Sequence, residues 1–313
     1  MIDPELLPFL AMWDKAWSVL PPNATPPQRR ALIEKLAAEL RPPMPPEIDD
    51  ATEHVPWRDM PVRVRIHRYK GAGVAPCLIY LHGGAWMQGS PETHEDATVE
   101  IARQTRHTVI SVDYALAPEH PFPIALRQCE AVVAWAHAEA ARLGIRADAI
   151  SVGGDSAGGN LAAALTLLFR GSPVRLKGQV LFYPAVDVSH SRPSFRENAD
   201  GPIIKTANMA ATMAAYCPDP AQLRTPLVAP LLAPDHAGLP PAFIAVAEHD
   251  PLRDDGLAYA EALSAAGVPV TLERGAGLIH GYLRAMSYCR AARAGLDAAC
   301  AWLIRLNANE QVA

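Results

Sequence analysis

The sequence has no long hydrophobic run and no surplus of basic charge, and each absence excludes a class of protein. Its longest largely apolar stretch, residues 161–169, is about half of the roughly 18 residues that a transmembrane helix needs. Among 313 residues, 28 are Lys or Arg and 33 are Asp or Glu, so the formal net charge is −5. A chain with this charge lacks the basic surface that binds nucleic acids. We therefore expect neither a membrane span nor a nucleic-acid partner.

Paired cysteines are also absent. No two cysteines have CxxC or zinc-site spacing, and none lies in a tight glycine-rich turn that would expose its sulfur. We interpret all five as buried free thiols, namely Cys77, Cys129, Cys217, Cys289 and Cys300. The chain begins MIDPE, with acidic residues where a secretory signal carries basic ones, so we expect a cytoplasmic location.

The first 50 residues contain the patterns of two amphipathic helices. Large apolar side chains recur at spacings of three and four between residues 6 and 20, which places them on one helical face. Thr25 and Pro26 are residue types that suit a helix N-cap and first helical position, and Pro42 and Pro43 end the second helix. Both helices need a surface to cover.

Beyond residue 61, short runs of branched and apolar residues alternate with helix-length segments. Predicted strands cover residues 62–66, 77–81, 108–112, 149–152, 179–183, 242–247 and 268–272. Predicted helices cover residues 92–105, 124–143, 157–169, 255–266 and 283–306. This alternation indicates an α/β protein with a mostly parallel central sheet flanked by helices.

One connection is too long for an ordinary loop. Residues 184–241, 58 in all, separate two predicted strands, where about two to six residues are usual. Within this segment Met209, Met213 and Tyr216 fall on one helical face. We expect the segment to form a helical cap together with the N-terminal helices. The predicted divisions are 1–50 for the N-terminal cap helices, 51–183 and 242–313 for the two parts of the core, and 184–241 for the cap insertion.

The strongest local signal is the segment GDSAGG at residues 154–159. It contains GxSxG directly between a predicted strand and a predicted helix, the context in which this pattern forms a nucleophile elbow. Glycines at 154 and 158 permit a tight turn that exposes the Ser156 hydroxyl at a helix N-terminus. A nucleotide-binding turn is the alternative, but the chain has no GxGxxG and no lysine after these glycines. Ser156 is therefore the candidate nucleophile.

A second signal, HGGAW at residues 82–86, follows the predicted strand 77–81. Adjacent glycines let consecutive main-chain N–H groups point into one cavity, as stabilisation of a tetrahedral oxyanion requires. We predict the N–H groups of Gly83, Gly84 and Ala157 as oxyanion donors, the last because it follows the nucleophile. His82 is interpreted as an orienting group rather than a base. An ordinary turn between strand and helix is the alternative.

A serine nucleophile needs a base, and the base needs an acid that fixes its tautomer. Asp250 follows the strand 242–247 at its carboxyl end, where an active-site acid belongs, and His280 follows the last strand. The chain order Ser156, Asp250, His280 is that of α/β-hydrolases. Competing residues are Glu248, Asp254 and Asp255 for the acid and His249 for the base.

Together these motifs resemble the hormone-sensitive-lipase-like, bacterial family IV carboxylesterases of the α/β-hydrolase superfamily. The resemblance covers residues 60–306 and rests on HGGA at 82–85, DY at 113–114, LAPE at 116–119, PFP at 121–123, GDSAGG at 154–159, DPLRD at 250–254 and HGY at 280–282. It implies an α/β-hydrolase fold with a helical cap, the triad above, and no metal or cofactor. Family members often pair through the last strand and helix, so a homodimer is a further expectation. The third glycine of the family's HGGG pattern is Ala85 in this chain.

The function that the resemblance implies is that of a serine carboxylesterase, which hydrolyses short- to medium-chain acyl esters of small molecules through an acyl-enzyme. The predicted substrate-binding residues are apolar side chains near the site, namely Trp86, Met209, Met213, Tyr216 and Ile279. Trp13 and Trp17 are further candidates for the same pocket. An amidase, a formamidase or a lactonase would use the same triad. A non-catalytic receptor on this fold is disfavoured by the presence of His280.

Overall fold

Eight strands form one sheet in the computed structural model, which describes residues 1–308. In chain order they are β1 (Ile48–Val55), β2 (Val62–Tyr69), β3 (Ala75–Leu81), β4 (Thr108–Asp113), β5 (Ile145–Asp155), β6 (Gln179–Phe182), β7 (Ala242–His249) and β8 (Val270–Ile279). Their order across the sheet is β1-β2-β4-β3-β5-β6-β7-β8. β1 with β2 and β2 with β4 are antiparallel, and every further neighbouring pair is parallel. The predicted α/β-hydrolase fold with a mostly parallel sheet is confirmed.

Ten α-helices connect or flank these strands within residues 1–308. They are α1 (Leu7–Trp17), α2 (Pro26–Leu40), α3 (Glu95–Thr105), α4 (Ile124–Ala138), α5 (Ala140–Leu143), α6 (Ala157–Phe169), α7 (Pro193–Glu197), α8 (Thr206–Tyr216), α9 (Arg253–Ala265) and α10 (Arg290–Ala308). The predicted helix 283–306 starts later than expected, because a short 3₁₀ turn, Tyr282–Ala285, comes first. None of these helices has the length and apolarity that crossing a bilayer requires.

The sheet separates two hydrophobic clusters, because successive side chains of a strand face opposite sides. In β3, Ile79 and Leu81 belong to one cluster, whereas Leu78 and Tyr80 belong to the other. Helices α1 and α2 pack on the second cluster, and α8 of the long insertion packs on the first. The five cysteines are buried and free, as predicted.

The N-terminal 50 residues hold one element that the pattern did not reveal. β1 begins at Ile48, so residue 50, predicted as the end of the cap, lies within the sheet. Only Ile48 and Val55 are buried in this strand, which leaves no apolar alternation for a sequence to display. The start of α2 is as predicted: Thr25 Oγ1 accepts from Gln28 N at 3.5 Å, while Gln28 Oε1 accepts from Thr25 N at 2.9 Å.

Candidate active site

Ser156 lies in a strained turn between β5 and α6. Its φ of 55° and ψ of −117° are dihedrals that side chains other than glycine rarely adopt. Its N–H donates to Phe182 O at 2.9 Å, which ties the turn to the neighbouring strand β6. A Cβ atom at Gly154 or at Gly158 would overlap Leu81 O, the last carbonyl of β3. The two glycines therefore let β3 approach the elbow, while the turn projects the serine hydroxyl.

The structure brings the three predicted catalytic residues into one hydrogen-bonded chain. Ser156 Oγ lies 2.9 Å from His280 Nε2, and His280 Nδ1 lies 2.8 Å from Asp250 Oδ2. Because a carboxylate can only accept, the proton of a neutral His280 resides on Nδ1, and Nε2 is free to accept from the serine hydroxyl. Asp250 is fully buried, and its Oδ1 accepts from Leu252 N at 2.8 Å. This geometry is that of a base oriented toward a nucleophile.

The residues that compete with Asp250 and His280 for the acid and base roles have other partners. Glu248 is exposed and accepts from Gly277 N at 2.7 Å, while His249 Nε2 is 3.8 Å from Glu248 Oε2. Asp254 accepts from Ser194 N at 2.8 Å. Among the described residues, Asp250 is the carboxylate bonded to His280, so the geometry favours the predicted acid over its rivals.

Asp255 is the buried rival, and its environment favours the protonated form. Its Oδ1 accepts from Arg192 Nε at 3.0 Å, but its Oδ2 has no partner within residues 1–308. Burial first, and then the charge of Asp187, raise the pKa of Asp255 to about 7 despite the opposing Arg192. A carboxyl that holds its proton near neutral pH cannot stabilise an imidazolium ion.

Asp255→Asn should change the stability in a pH-dependent way. The pKa of Asp255 is raised on folding, so between about pH 4 and pH 7 the unfolded chain loses this proton before the folded chain does. The wild type therefore loses stability as the pH rises through this window, and the variant does not. We expect the Tm of the variant minus that of the wild type to be more positive at pH 8 than at pH 5, as measured by circular dichroism.

Asp254→Asn is the matched control. The pKa of Asp254 is lowered in the folded state, because hydrogen bonds from Arg253 and Ser194 outweigh its burial. Its contribution to stability is complete above the unfolded pKa of about 4, so the Tm difference should be the same at pH 5 and pH 8. Equal Tm differences for Asp255→Asn at the two pH values would contradict the raised pKa.

His82 serves a structural purpose next to the site. Its ring is buried and stacks on Tyr114, with centroids 4.2 Å apart. Burial lowers the pKa of His82 to about 3, so the ring is neutral at physiological pH. Its carbonyl accepts from Tyr114 Oη at 2.6 Å. These contacts fix the main chain that leads into residues 83–88, which we term the oxyanion loop.

One predicted oxyanion donor, the N–H of Gly83, has a hydrogen-bond partner within the protein. Gly83 is buried, and its N–H already donates to Asp155 Oδ1 at 2.9 Å. Within residues 1–308, no acceptor is bonded to the N–H groups of Gly84, Ala85 and Ala157. Gly84 and Ala157 thus remain candidates, and Ala85 replaces Gly83 as the third.

The oxyanion loop is held in an unusual conformation. Gly84 has φ 131°, and Ala85 and Trp86 have φ of 56° and 57°. The left-handed conformation costs a residue with a side chain roughly 1–2 kcal/mol. Such a conformation persists only where surrounding contacts hold it. Met87 N and Gln88 N both donate to Gly84 O at 3.0 Å, which closes the loop on itself.

Asp155, which precedes the nucleophile, is a functional residue that the sequence reasoning left without a role. Its Oδ1 accepts from Gly83 N and from Tyr80 Oη at 3.0 Å, and lies 3.4 Å from His94 Nε2. Burial opposes its ionisation, but His94, Arg284 and Tyr80 together hold the pKa of Asp155 below its usual value. This buried carboxylate anchors the oxyanion loop to the elbow. Its position within GDSAGG was the signal that it matters.

Two adjoining cavities open beside the nucleophile. The first, of about 260 Å³, is bordered by side chains that include Trp86, Met209 and Met213. The second, of about 300 Å³, is bordered by Trp13 and Trp17 among others. Both cavities share a set of lining residues, namely Arg29, Ala85, Gln88, Ser156, Ile203, Ile204 and His280. Side chains of the N-terminal helices and of the long insertion thus surround Ser156.

Two predicted substrate-binding residues do not line either cavity. Tyr216 is buried behind Trp86, with ring centroids 4.2 Å apart and planes 8° apart, so it supports the cavity wall. Ile279 is fully buried in the hydrophobic cluster beneath His280. Ile203 and Ile204 line both cavities. No periodicity in the sequence marked them, because they lie in a loop before α8.

One group of potential metal ligands occurs among residues 1–308, away from these cavities. It consists of Asp3, Glu5 and Cys289. The Glu5 carboxylate already accepts from Arg290 N and Nε, each at 2.8 Å, and Asp3 Oδ1 accepts from Glu5 N at 2.9 Å. Both carboxylates therefore already accept hydrogen bonds from groups of the protein.

Comparison with known proteins points to the same chemistry. A family model described as alpha/beta hydrolase fold matches residues 78–284. Carboxylesterase NlhH of Mycobacterium tuberculosis is 45% identical over 213 residues, which are 66% of this chain and 66% of that protein. An arylesterase of Saccharolobus solfataricus is 36% identical over 287 residues, covering 90% of this chain and 92% of that protein. A hyperthermophilic esterase from Pyrobaculum calidifontis superposes with a TM-score of 0.89 at 33% identity, over 97% of this chain and 98% of that one.

The fold and the bonded serine, histidine and aspartate define an α/β-hydrolase. The chain belongs to the alpha/beta hydrolase family, and its predicted resemblance to the family IV carboxylesterases is confirmed. The matched region spans just under two thirds of the mycobacterial relative's length, and nearly all of the arylesterase. The relatives' own names, carboxylesterase, esterase and arylesterase, are those of the predicted class of enzyme, the carboxylic ester hydrolases.

Proposed function

We propose that the chain is a serine carboxylesterase that hydrolyses short- to medium-chain acyl esters of small molecules. The observation that carries this proposal is the hydrogen-bonded chain from Ser156 through His280 to Asp250, which opens onto two cavities. The names of the relatives, carboxylesterase, arylesterase and esterase, favour an ester over an amide or a lactone as the substrate.

Acylation begins when Ser156 Oγ attacks the ester carbonyl carbon while His280 Nε2 takes the hydroxyl proton. The carbonyl oxygen becomes an oxyanion, which the N–H groups of Gly84, Ala85 and Ala157 stabilise. Asp250 stabilises the imidazolium ion. When the tetrahedral intermediate collapses, the C–O bond to the alcohol breaks and His280 gives its proton to the departing alcohol.

Deacylation repeats the same steps with water as the nucleophile. His280 Nε2 takes a proton from water as the water oxygen attacks the acyl carbon, and the oxyanion forms at the same three N–H groups. Collapse of this intermediate releases the carboxylic acid and returns the proton to Ser156 Oγ. The described residues supply the nucleophile, the base and the oxyanion donors.

A substrate panel tests this function. p-Nitrophenyl esters from acetate to palmitate, p-nitrobutyranilide and γ-butyrolactone are compared at equal enzyme concentration. We expect the highest kcat/KM for esters of about four to eight carbons, since two cavities of this size suit a modest acyl group and a small alcohol. A higher kcat/KM for the anilide or the lactone would overturn the ester assignment.

Met209→Trp should shift the chain-length preference toward shorter acyl groups. Met209 is half-buried on α8 and borders the first cavity, where we place the acyl chain because most of the cavity surface is apolar. The larger indole should lower kcat/KM for the octanoate relative to the acetate by roughly tenfold. Ala207→Trp, on an exposed position of the same helix, should leave the ratio unchanged. An unchanged ratio in Met209→Trp would place the acyl chain elsewhere.

The location and the assembly state complete the proposal. Five buried free cysteines suit a reducing compartment such as the cytoplasm. β8 is an outer strand of the sheet, and an outer strand can pair with a strand of a second copy. Light scattering coupled to size-exclusion chromatography would test the homodimer.

A further inference from the structure

We propose that Arg30, on the N-terminal helix α2, is a positioning residue that holds the oxyanion loop in its donating conformation. The inference rests on the proposed function, because it concerns how the oxyanion donors of that site are kept in place. It makes the helix a part of the catalytic geometry as well as a wall of the cavity.

The Arg30 guanidinium reaches from α2 to one carbonyl of the oxyanion loop and to one carbonyl of a neighbouring segment. Its Nε donates to Met87 O at 2.7 Å, and its Nη2 donates to Ala117 O at 2.8 Å. Ala117 in turn donates its N–H to Trp86 O at 2.9 Å. Arg30 is therefore bonded to the loop directly at Met87 and indirectly, through Ala117, at Trp86.

These contacts fall where the loop needs external support. Ala85 and Trp86 both have positive φ, a conformation that residues with side chains leave when nothing holds them. The bonds from Met87 N and Gln88 N to Gly84 O close the loop but lie within it. Asp155 holds the start of the loop at Gly83, and Arg30 supplies a contact from outside the loop at its other end, at Met87. Because its planar guanidinium carries several donors in a fixed arrangement, it bonds both carbonyls at once.

Arg30 also pairs with Glu119, but that pair lies near the surface. The two carboxylate oxygens lie 3.0 Å from Nη1 and 2.6 Å from Nη2, and the side chains are 25% and 47% exposed. Ion pairs as exposed as this one contribute little to stability. Among residues 1–308, Glu119 makes no hydrogen bond to Met87 or to Trp86. An experiment can therefore remove the Arg30–Glu119 ion pair without removing the bonds from Arg30 to the two carbonyls.

Loss of Arg30 should therefore impair the transition state more than substrate binding. Small displacements of oxyanion donors cost rate because the donors act on the charge that develops during attack. The side chains that border the cavities remain in place. For Arg30→Gln we expect kcat for p-nitrophenyl butyrate to fall roughly ten- to a hundredfold while KM changes less than threefold.

An alkyl trifluoromethyl ketone provides a second readout that a purely structural role would not move. Ser156 Oγ adds to its carbonyl carbon, the hydroxyl proton passes to His280, and the carbonyl oxygen becomes an oxyanion at the three donors. The inhibition constant of this ketone should rise in Arg30→Gln by about the same factor as kcat falls. The methyl ketone of the same chain, a weaker electrophile that binds mainly through the cavity, should bind as it does to the wild type.

Glu119→Gln is the matched control, since it removes the ion pair and leaves both carbonyl bonds of Arg30. We expect its kcat and its ketone inhibition constant to stay within threefold of the wild type, even where its Tm falls. Arg30→Lys keeps the charge but cannot reach both carbonyls in the same geometry, so it should lose kcat as well. If Arg30→Gln does not fold, Arg30→Lys decides the question.

Two results would overturn the proposal: a variant at Arg30 with kcat and ketone binding within threefold of the wild type, or a Glu119→Gln enzyme as impaired as Arg30→Gln. Both are distinct from failure of the esterase assignment itself. If the esterase assignment failed, the wild type would not hydrolyse esters, or ester hydrolysis would persist in Ser156→Ala.

Discussion

Ser156→Ala should lower kcat for p-nitrophenyl butyrate by roughly 10⁵- to 10⁶-fold, with little change in KM. The Ser156 Oγ atom would form the bond to the acyl group. It lies 2.9 Å from His280 Nε2, so the base can take the hydroxyl proton across this contact. Without Oγ, only water in the cavity can attack, and the oxyanion donors remain to assist it. The measurement is a steady-state assay of the purified variant, corrected for spontaneous hydrolysis.

Ser151→Ala is the control for this experiment. Ser151 lies on the same strand, β5, is fully buried, and its Oγ has no hydrogen-bond partner among residues 1–308. Its loss should leave kcat within a few-fold of the wild type. A fluorophosphonate should label the wild type and Ser151→Ala at Ser156, as peptide mass spectrometry detects, and should leave Ser156→Ala unlabelled. Label on another serine, or activity retained in Ser156→Ala, would remove the nucleophile assignment.

The positions of these residues were predictable because each one is marked by the residues next to it in the sequence. Ser156 is recognisable since a strained turn between strand and helix tolerates only glycine at 154 and 158, where a Cβ would overlap Leu81 O. Asp250 and His280 each follow a strand of the predicted parallel sheet, and the carboxyl ends of parallel strands share one edge. Their convergence on Ser156 needed no knowledge of side-chain packing.

The assignment of the oxyanion donors was harder to predict because it depends on a long-range contact. Gly83 and Asp155 are 72 residues apart in sequence, and only their proximity in the fold shows that one bonds the other. The same applies to Arg30, whose partners lie 57 and 87 residues further along the chain. A sequence pattern shows that glycines permit an oxyanion loop, but it does not show which N–H groups remain free.

The substrate pocket was predicted only in part, for a related reason. Helical spacing correctly groups Met213 and Tyr216 on one face of α8, but it does not show what lies against that face. Tyr216 stacks behind Trp86, whereas Met213 reaches the cavity. β1 escaped prediction because its interior residues are exposed or half-buried, so burial imposes no alternating pattern on them.

Asp250→Asn tests the other end of the hydrogen-bonded chain, and we expect it to lower kcat by roughly 10³- to 10⁴-fold. Asparagine has nearly the same shape as aspartate, so its Oδ1 can still accept from Leu252 N. Its Nδ2 then faces His280 Nδ1 as a donor, which places the imidazole proton on Nε2. In that tautomer Nε2 donates toward Ser156 Oγ and cannot take its proton. The loss should appear in kcat rather than in KM, because Asp250 is fully buried and borders neither cavity.

Glu248→Gln distinguishes a specific role of Asp250 from a general effect of removing a carboxylate near the site. Glu248 is the exposed carboxylate two residues earlier, and a glutamine Oε1 can still accept from Gly277 N. We expect this variant to retain kcat within threefold of the wild type and to have the same pH dependence. If Glu248→Gln lost activity as severely as Asp250→Asn, or if Asp250→Asn retained a tenth of wild-type kcat, the 2.8 Å contact between Asp250 and His280 would not be the one that sets the histidine tautomer.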